Sequence, residues 1–217
     1  MPDFLVINPN SNEQVTENLR ESLREFRPIM SIECHTTAGA PFGIESDADV
    51  ELAASLVIEQ VASEQHRDAI VIACYSDPGL AQCRVQFSTP IFGMQDSALR
   101  AAASGGCRFG VLALSDESIA RHLPCIEALG LNDLLAAELP LNISVEQSAG
   151  DPKTLDKVIE NGRRLIDEFG AEAVVLGCAG MAALQKPAEQ ALSVPVIEPA
   201  HAAVAEAFVA DRATKGG

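Results

Sequence analysis

Short apolar runs recur along the whole chain, and most of them are continuous rather than alternating. Strands buried on both faces of a parallel sheet have this pattern. Eight runs are therefore predicted to be strands: 4–8, 31–36, 69–74, 90–94, 109–114, 143–147, 173–178 and 195–198.

The segments between these runs carry apolar residues at helical spacing. In 12–26, for example, Val15, Leu19, Leu23 and Phe26 share one helix face. The same reasoning predicts further helices over 49–64, 152–170 and 199–213. Alternation of strands with helices indicates an α/β protein with parallel sheets.

The sequence also repeats itself. "AIVIAC" at 69–74 aligns with "AVVLGC" at 173–178, 104 residues further on, and each run ends in a cysteine. This repeat predicts two pseudo-symmetric halves, each a parallel sheet of about four strands flanked by helices, with a cleft between them. The first half is predicted to comprise 1–95 plus a returning helix in 199–217, and the second 96–198. Ligands bind at the carboxyl ends of such strands, so Cys74 and Cys178 are expected to face one cleft.

Composition narrows the functional classes. The net charge of −16 argues against nucleic acid as a partner and, more weakly, against an anionic membrane surface. No apolar stretch has the roughly 20 residues that a membrane span needs. The six cysteines form no CxxC pair, which favours reduced thiols and a cytoplasmic location. No His or second Cys stands at zinc-ligand spacing around Cys74 or Cys178, so no metal is expected.

Two facing thiols suit one kind of reaction. Inversion of a stereocentre next to a carbonyl needs a base on one face and an acid on the other, and a thiolate and a thiol exchange these roles. A cysteine has an ordinary pKa of about 8.5, and a nearby helix N-terminus is expected to favour its thiolate. The backbone N–H groups that follow, including those of Ala179 and Gly180, are predicted to hold the oxygen on which charge develops.

The motifs resemble those of the aspartate/glutamate/hydantoin racemase superfamily, and most closely its hydantoin and allantoin racemase branch. The similar segments are "INPNSNEQVTE" (7–17), "GIES" (43–46), "VIACYSDPGL" (71–80), "RFGVLALSD" (108–116), "VVLGCAGMAAL" (174–184) and "VPVIEP" (194–199). The resemblance implies two Rossmann-like halves, no cofactor, and catalytic cysteines at Cys74 and Cys178.

The resemblance also implies substrate-binding positions. Asn8 and Ser76 match places where relatives hold substrate, although each also fits an ordinary turn or cap. Phe42 and Tyr75 are predicted to wall the pocket or to pack in the core. Three residues depart from the hydantoin-branch pattern, and they are expected to alter which ring substituent fits: Gln95, Ala113 and Leu114.

Several readings remain open. The cysteine motifs and "INPNSN" contain no Lys or Arg, which favours a neutral ring such as a 5-substituted hydantoin or allantoin over a carboxylate. An amino-acid racemase of the Asp/Glu type and a maleate cis-trans isomerase use the same paired thiols. A non-catalytic module that binds a small molecule is the alternative from another class. A homo-oligomer is expected by analogy with the family.

Overall fold

The computed structural model describes residues 1–216, and within them the strands form two four-stranded parallel sheets. The first sheet has the order β2-β1-β3-β4, and the second has the order β6-β5-β7-β8. The strands of the first are β1 (Asp3–Asn8), β2 (Ser31–Thr36), β3 (Ala69–Ile72) and β4 (Ile91–Gly93). Those of the second are β5 (Phe109–Ala113), β6 (Leu135–Pro140), β7 (Ala173–Leu176) and β8 (Val196–Ile197).

Helices connect successive strands in both halves. The α-helices of the described chain are α1 (Glu13–Ser22), α2 (Asp47–Ser63), α3 (Leu80–Gln86), α4 (Met94–Ala102), α5 (Asp116–Ala128), α6 (Val145–Gly150), α7 (Thr154–Asp167), α8 (Gln185–Leu192) and α9 (Pro199–Lys215). Three short 3-10 helices span Leu23–Phe26, Ser104–Gly106 and Ala179–Leu184. The order of elements confirms the predicted α/β class with two similar parallel sheets.

The strand residues explain the layering. In β1, Phe4 and Val6 join the core shared by the two sheets, whereas Leu5 and Ile7 join a second cluster with α2 and α3. Alternate side chains of a strand point to opposite faces, so a strand covered on both faces is apolar throughout. Helix α9 packs against α4 and against the first sheet at β3 and β4. The predicted boundaries at 95 and 198 stay a prediction, and Gly217 lies outside the described residues.

One predicted strand is wrong. Residues 143–147 were expected to form a strand, but the structure has α6 from Val145, and the missing strand is β6 over Leu135–Pro140. Ser144 caps α6 through the amide of Gln147, whose side chain in turn accepts from the Ser144 amide. This reciprocal cap stabilises a helix start and overrides the strand preference of Ile143 and Val145.

No helix in the described part of the chain is long and apolar enough to cross a membrane.

Candidate active site

Cys74 and Cys178 line one cavity between the two sheets. Each follows the carboxyl end of a central strand, Cys74 after β3 and Cys178 after β7. The cavity is narrow: the centre of a water-sized sphere can occupy about 30 Å³ of it, and the space between the lining atoms is about 410 Å³ when the opening to solvent is included. The duplicated sequence therefore brings both thiols to the same space, as the repeat predicted.

Cys178 is held by two polar contacts. Its sulfur lies 3.3 Å from the Ser148 hydroxyl and accepts from the Gly180 amide at 3.4 Å. The glycines around it are required for packing. A Cβ at Gly177 would approach the Leu112 carbonyl oxygen to 2.6 Å, and one at Gly180 would lie 2.2 Å from the Ser148 hydroxyl. The two glycines thus allow the strand end and α6 to approach the cysteine closely.

Cys74 has different neighbours. Ser76, two residues later, contacts the thiol, and the carboxyl group of Asp77 lies close enough to disfavour its ionisation. Asp77 adopts a positive φ of 43° and accepts from the Gln95 and Asp96 amides at 3.1 and 2.9 Å. Asp77 therefore ties the cysteine loop to the start of α4.

Burial dominates the ionisation of both thiols. It raises the pKa of Cys74 to about 12, even though contacts from Ser76 act in the opposite direction. Burial also raises the pKa of Cys178, against the hydrogen bonds from Ser148 and Gly180. The expectation that local backbone would favour thiolates is corrected here, because desolvation of the charged form by burial outweighs those contacts.

Asn8 lies behind the cavity rather than in its wall. It is 1% exposed, and its Nδ2 donates to Asn10 Oδ1, to the Asn12 carbonyl oxygen and to Thr16 Oγ1. Asn10 lines the cavity instead. Its Oδ1 accepts from Asn8 and from the Asn12 amide, and within residues 1–216 its Nδ2 makes no hydrogen bond. The placement gives Asn8 the role of orienting Asn10.

The other predicted binding residues divide into two groups. The cavity lining includes Tyr75, Ser76, Ala179 and Gly180, as expected. Phe42 is 55% exposed and does not belong to that lining, so the structure does not support a wall there. Ile44, two residues later, is buried and lines the cavity instead.

Helix α5 supplies a wall that sequence reasoning missed. Ser118 and His122, one helical turn apart, both line the cavity. His122 is 2% exposed, and its Nδ1 contacts Glu138 of β6. Ser118 and His122, four residues apart in the segment after "GVLAL", form a polar pair from which the sequence could have predicted this wall. Glu138, the partner of His122, had no assigned strand. Without β6 the pairing of His122 could not be anticipated.

The three departures from the family pattern have separate positions. Leu114 lines the cavity, whereas Ala113 is fully buried in β5. Gln95 lies outside the lining and donates from Nε2 to the His122 carbonyl oxygen at 3.0 Å. Leu114 is therefore the departure that changes the cavity surface, and Gln95 acts on it through α5.

The mouth of the cavity is bridged between the halves. The Glu45 carboxylate accepts from the Val145 amide at 2.8 Å, and a Cβ at Gly43 would lie 3.0 Å from the Val145 Cβ. Ile44 and Val145 line the cavity beneath this contact. Among residues 1–216, no group of three His, Cys, Asp or Glu side chains is placed to hold a metal ion.

Comparison with known proteins agrees with this architecture. The family model for Asp/Glu/hydantoin racemases matches residues 4–207. The hydantoin racemase of Paenarthrobacter aurescens is 32% identical over 216 residues, which cover 95% of this chain and 91% of the relative. The allantoin racemase from Klebsiella pneumoniae superposes with a TM-score of 0.92 at 29% identity, over 100% of this chain and 89% of that one.

The allantoin racemase from Pseudomonas fluorescens also has a TM-score of 0.92, at 26% identity, over 98% of this chain and 92% of that one. The chain therefore belongs to the Asp/Glu/hydantoin racemase family, and the predicted enzyme class, an isomerase of the racemase type, is confirmed.

Proposed function

We propose that this protein is a cofactor-independent racemase that inverts the C5 stereocentre of a hydantoin-type ring, either a 5-substituted hydantoin or allantoin. The observation that carries the proposal is the placement of Cys74 and Cys178 at equivalent strand ends around one cavity. The similarity to hydantoin and allantoin racemases supports the same substrate class.

The two sulfurs carry both proton transfers. One cysteine, as thiolate, removes the C5 proton, and the electron pair of the C–H bond moves onto the adjacent carbonyl oxygen to form an enolate. The other cysteine, as thiol, gives its proton to the opposite face of C5 and becomes the thiolate. The two groups have then exchanged roles, so the next turnover runs in the reverse direction.

The cavity wall favours a neutral ring. Within the described chain, the cavity-lining residues include no Lys or Arg to pair with a substrate carboxylate. The Nδ2 of Asn10 and the backbone amide of Ala179 offer donors for ring carbonyl oxygens. Ile44, Leu114 and Val145 provide an apolar surface for the C5 substituent.

The buried thiols also suit a weak carbon acid. A thiol whose pKa is raised by burial forms little thiolate, but the thiolate that does form is a stronger base. As an acid, the same thiol gives its proton readily only to a basic carbon. Both properties fit an enolate intermediate.

The test is solvent deuterium exchange with purified protein and no added cofactor. Substrates are both enantiomers of a 5-substituted hydantoin, allantoin, aspartate, glutamate and maleate. We expect loss of optical rotation and deuterium at C5 for the hydantoin-type rings only. The variant with both Cys74→Ser and Cys178→Ser corrects for spontaneous racemisation. Cys34→Ser, a buried cysteine in β2 away from the cavity, is the matched control and should keep activity.

Other outcomes would replace the proposal. Exchange at the α-carbon of aspartate or glutamate would identify an amino-acid racemase, and conversion of maleate would identify the isomerase. Binding of a ring without any exchange would identify a non-catalytic module.

A further inference from the structure

A buried histidine–carboxylate pair, His122 and Glu138, lies at the cavity wall. It has no part in the proton transfers described above. His122 of α5 lines the cavity together with both thiols, and its Nδ1 contacts Glu138 Oε1. Both side chains are 2% exposed. The His122 ring also packs edge-on against Tyr75, with ring centroids 4.7 Å apart. These contacts fix the orientation of the imidazole.

The second ring nitrogen of His122 lacks a partner in the part of the chain that the structure describes. Within residues 1–216, His122 Nε2 makes no hydrogen bond, and it belongs to a residue that lines the cavity. Since Nδ1 is occupied by Glu138, Nε2 is the polar atom that the imidazole offers to a ligand.

The surroundings determine whether Nε2 carries a hydrogen. Glu138 Oε2 and the Tyr75 hydroxyl are buried without a hydrogen-bond partner in the described chain, so the pair lies where water does not solvate it. An uncompensated charge is costly in such a place. A pair without net charge avoids this cost, and such a pair is either imidazolium with carboxylate or imidazole with carboxylic acid.

Both neutral forms place a hydrogen on Nε2. In the first, both ring nitrogens are protonated. In the second, the carboxylic acid donates to Nδ1, and the remaining imidazole hydrogen is on Nε2. Only a pair with net negative charge would leave Nε2 as an acceptor.

We infer that His122 donates a hydrogen bond from Nε2 to a carbonyl oxygen of the substrate ring and stabilises the charge that develops there. This inference rests on the proposed function and adds a catalytic residue to it. When a thiolate removes the C5 proton, the electron pair of that bond moves to the carbonyl oxygen, and the His122 hydrogen bond strengthens without a proton being transferred. Glu138 acts as a positioning residue, as does Gln95, which anchors the His122 carbonyl oxygen.

Two amide substitutions separate the two ring nitrogens. In His122→Asn, the short side chain places its amide near the position of Nδ1, so it keeps the contact with Glu138 and removes the donor in the cavity. In His122→Gln, the longer side chain places its amide near the position of Nε2 and keeps that donor. His66→Asn is the matched control, because His66 also lies beside a carboxylate, that of Glu64, but its side chain is 66% exposed.

The experiment measures kcat and KM for racemisation of a 5-substituted hydantoin, with thermal unfolding of each variant as the folding check. Loss of one donor to a developing oxyanion lowers kcat by about 100-fold or more. We expect about that loss for His122→Asn, mainly in kcat. We expect a loss of less than about 10-fold for His122→Gln and no change for His66→Asn.

The inference is overturned if His122→Asn keeps kcat within about threefold of wild type. It is also overturned if the Asn and Gln variants lose activity equally, because that result indicates a packing role. In either case the wild type still racemises the ring, and the proposed function stands. If the wild type exchanges no deuterium into any hydantoin, the proposed function is wrong. This inference, which rests on it, is then wrong as well.

Discussion

The two cysteine loops begin alike and then differ. Cys74 and Cys178 both follow the third strand of their half, but the next residues make different connections. After Cys74, the Asp77 carboxylate accepts hydrogen bonds from the Gln95 and Asp96 amides in the first turn of α4. After Cys178, the chain turns directly into the 3-10 helix Ala179–Leu184, and a residue of α6, Ser148, contacts the sulfur.

The helix that follows the last strand of each half shows the same contrast. In the second half, Glu198 stands immediately before α9 and accepts from the Ala200 and His201 amides at 3.0 and 2.7 Å. In the first half, Gly93 stands at this position and has no side chain to offer, so Asp77 supplies the carboxylate from the cysteine loop. A Cβ at Gly93 would in fact lie 2.3 Å from Asp77 Oδ2.

The comparison teaches that duplication conserved the position of the thiols and not their surroundings. Asp77 ties the Cys74 loop to the start of α4, whereas Cys178 itself contacts a hydroxyl of α6 within its own half. We therefore expect the two thiols to be equally necessary for racemisation but unequally sensitive to changes around them.

The largest effect should come from removing either sulfur. Cys74→Ser and Cys178→Ser should each lower racemisation by at least about 1000-fold, because a serine hydroxyl does not replace a thiolate near neutral pH. Each variant should still exchange deuterium into the one enantiomer whose C5 proton faces the surviving cysteine. Exchange measured separately for the two enantiomers should thus show opposite preferences. Full racemisation by either variant would contradict the two-thiol mechanism.

The pH dependence should be the next largest effect. Since burial raises the pKa of Cys74 to about 12 and raises that of Cys178 as well, little thiolate exists at pH 7 in the free protein. The value of kcat/KM reports ionisation of the free enzyme, so it should rise with pH by up to about tenfold per unit between pH 7 and 9. A profile measured against the double cysteine variant checks this, and a plateau already reached near pH 7 would show that the thiol pKa is lowered in the folded protein rather than raised.

Ser148 offers a smaller and one-sided test. A hydroxyl has one hydrogen, so Ser148 donates either to the Val145 carbonyl oxygen, 2.7 Å away, or to the Cys178 sulfur. Ser148→Ala removes the donor that stabilises the Cys178 thiolate, and such a hydrogen bond to a charged group contributes about 1.5–3 kcal/mol. We expect a loss of about 10-fold or more in deuterium exchange, confined to the enantiomer that Cys178 deprotonates.

Ser76→Ala is the matched variant on the other side, because Ser76 contacts Cys74. It should slow exchange of the opposite enantiomer. Equal slowing of both enantiomers by either variant would mean that the thiols do not act on separate faces.

Much of this arrangement was predictable from the sequence. Continuous apolar runs predicted β3 and β7, the central strands that precede the two cysteines. The 104-residue repeat predicted that these cysteines face one cavity. These signals are strong because burial on both faces demands apolar residues at every position.

The missed features have a common physical cause. Strand β6 lies at the edge of its sheet, is half-buried throughout and contains alanines, a glutamate and a proline, so its sequence lacks strand character. With β6 unassigned, Glu138 and its partner His122 had no predicted place in the cavity. Likewise, Asn8 ends a strand as expected, but local hydrogen bonds turn its amide toward Asn10, and no strand pattern encodes that choice.

The smallest expected effect concerns Asp77 and the stability of the first half. Burial raises the pKa of Asp77 from 3.8 to about 7, against the amides of Asp96 and Gln95 that favour its charged form. The folded protein then binds a proton that the unfolded chain releases between these pH values. The stabilisation is thus complete below about pH 4 and is lost as pH rises through 7. Asp77→Asn keeps an acceptor oxygen for one of the two amides and tolerates the positive φ, but it does not titrate. Urea unfolding at pH 5 and pH 8 should show that wild type loses about 1–2 kcal/mol more than this variant, after allowance for partial exposure.

Asp49→Asn is the control of opposite sign, because hydrogen bonds from Ser46 lower the pKa of Asp49, whose stabilisation is lost only as pH falls into the acid range. If Asp77→Asn leaves the difference between pH 5 and pH 8 unchanged, the Asp77 carboxylate at the start of α4 is charged throughout this range.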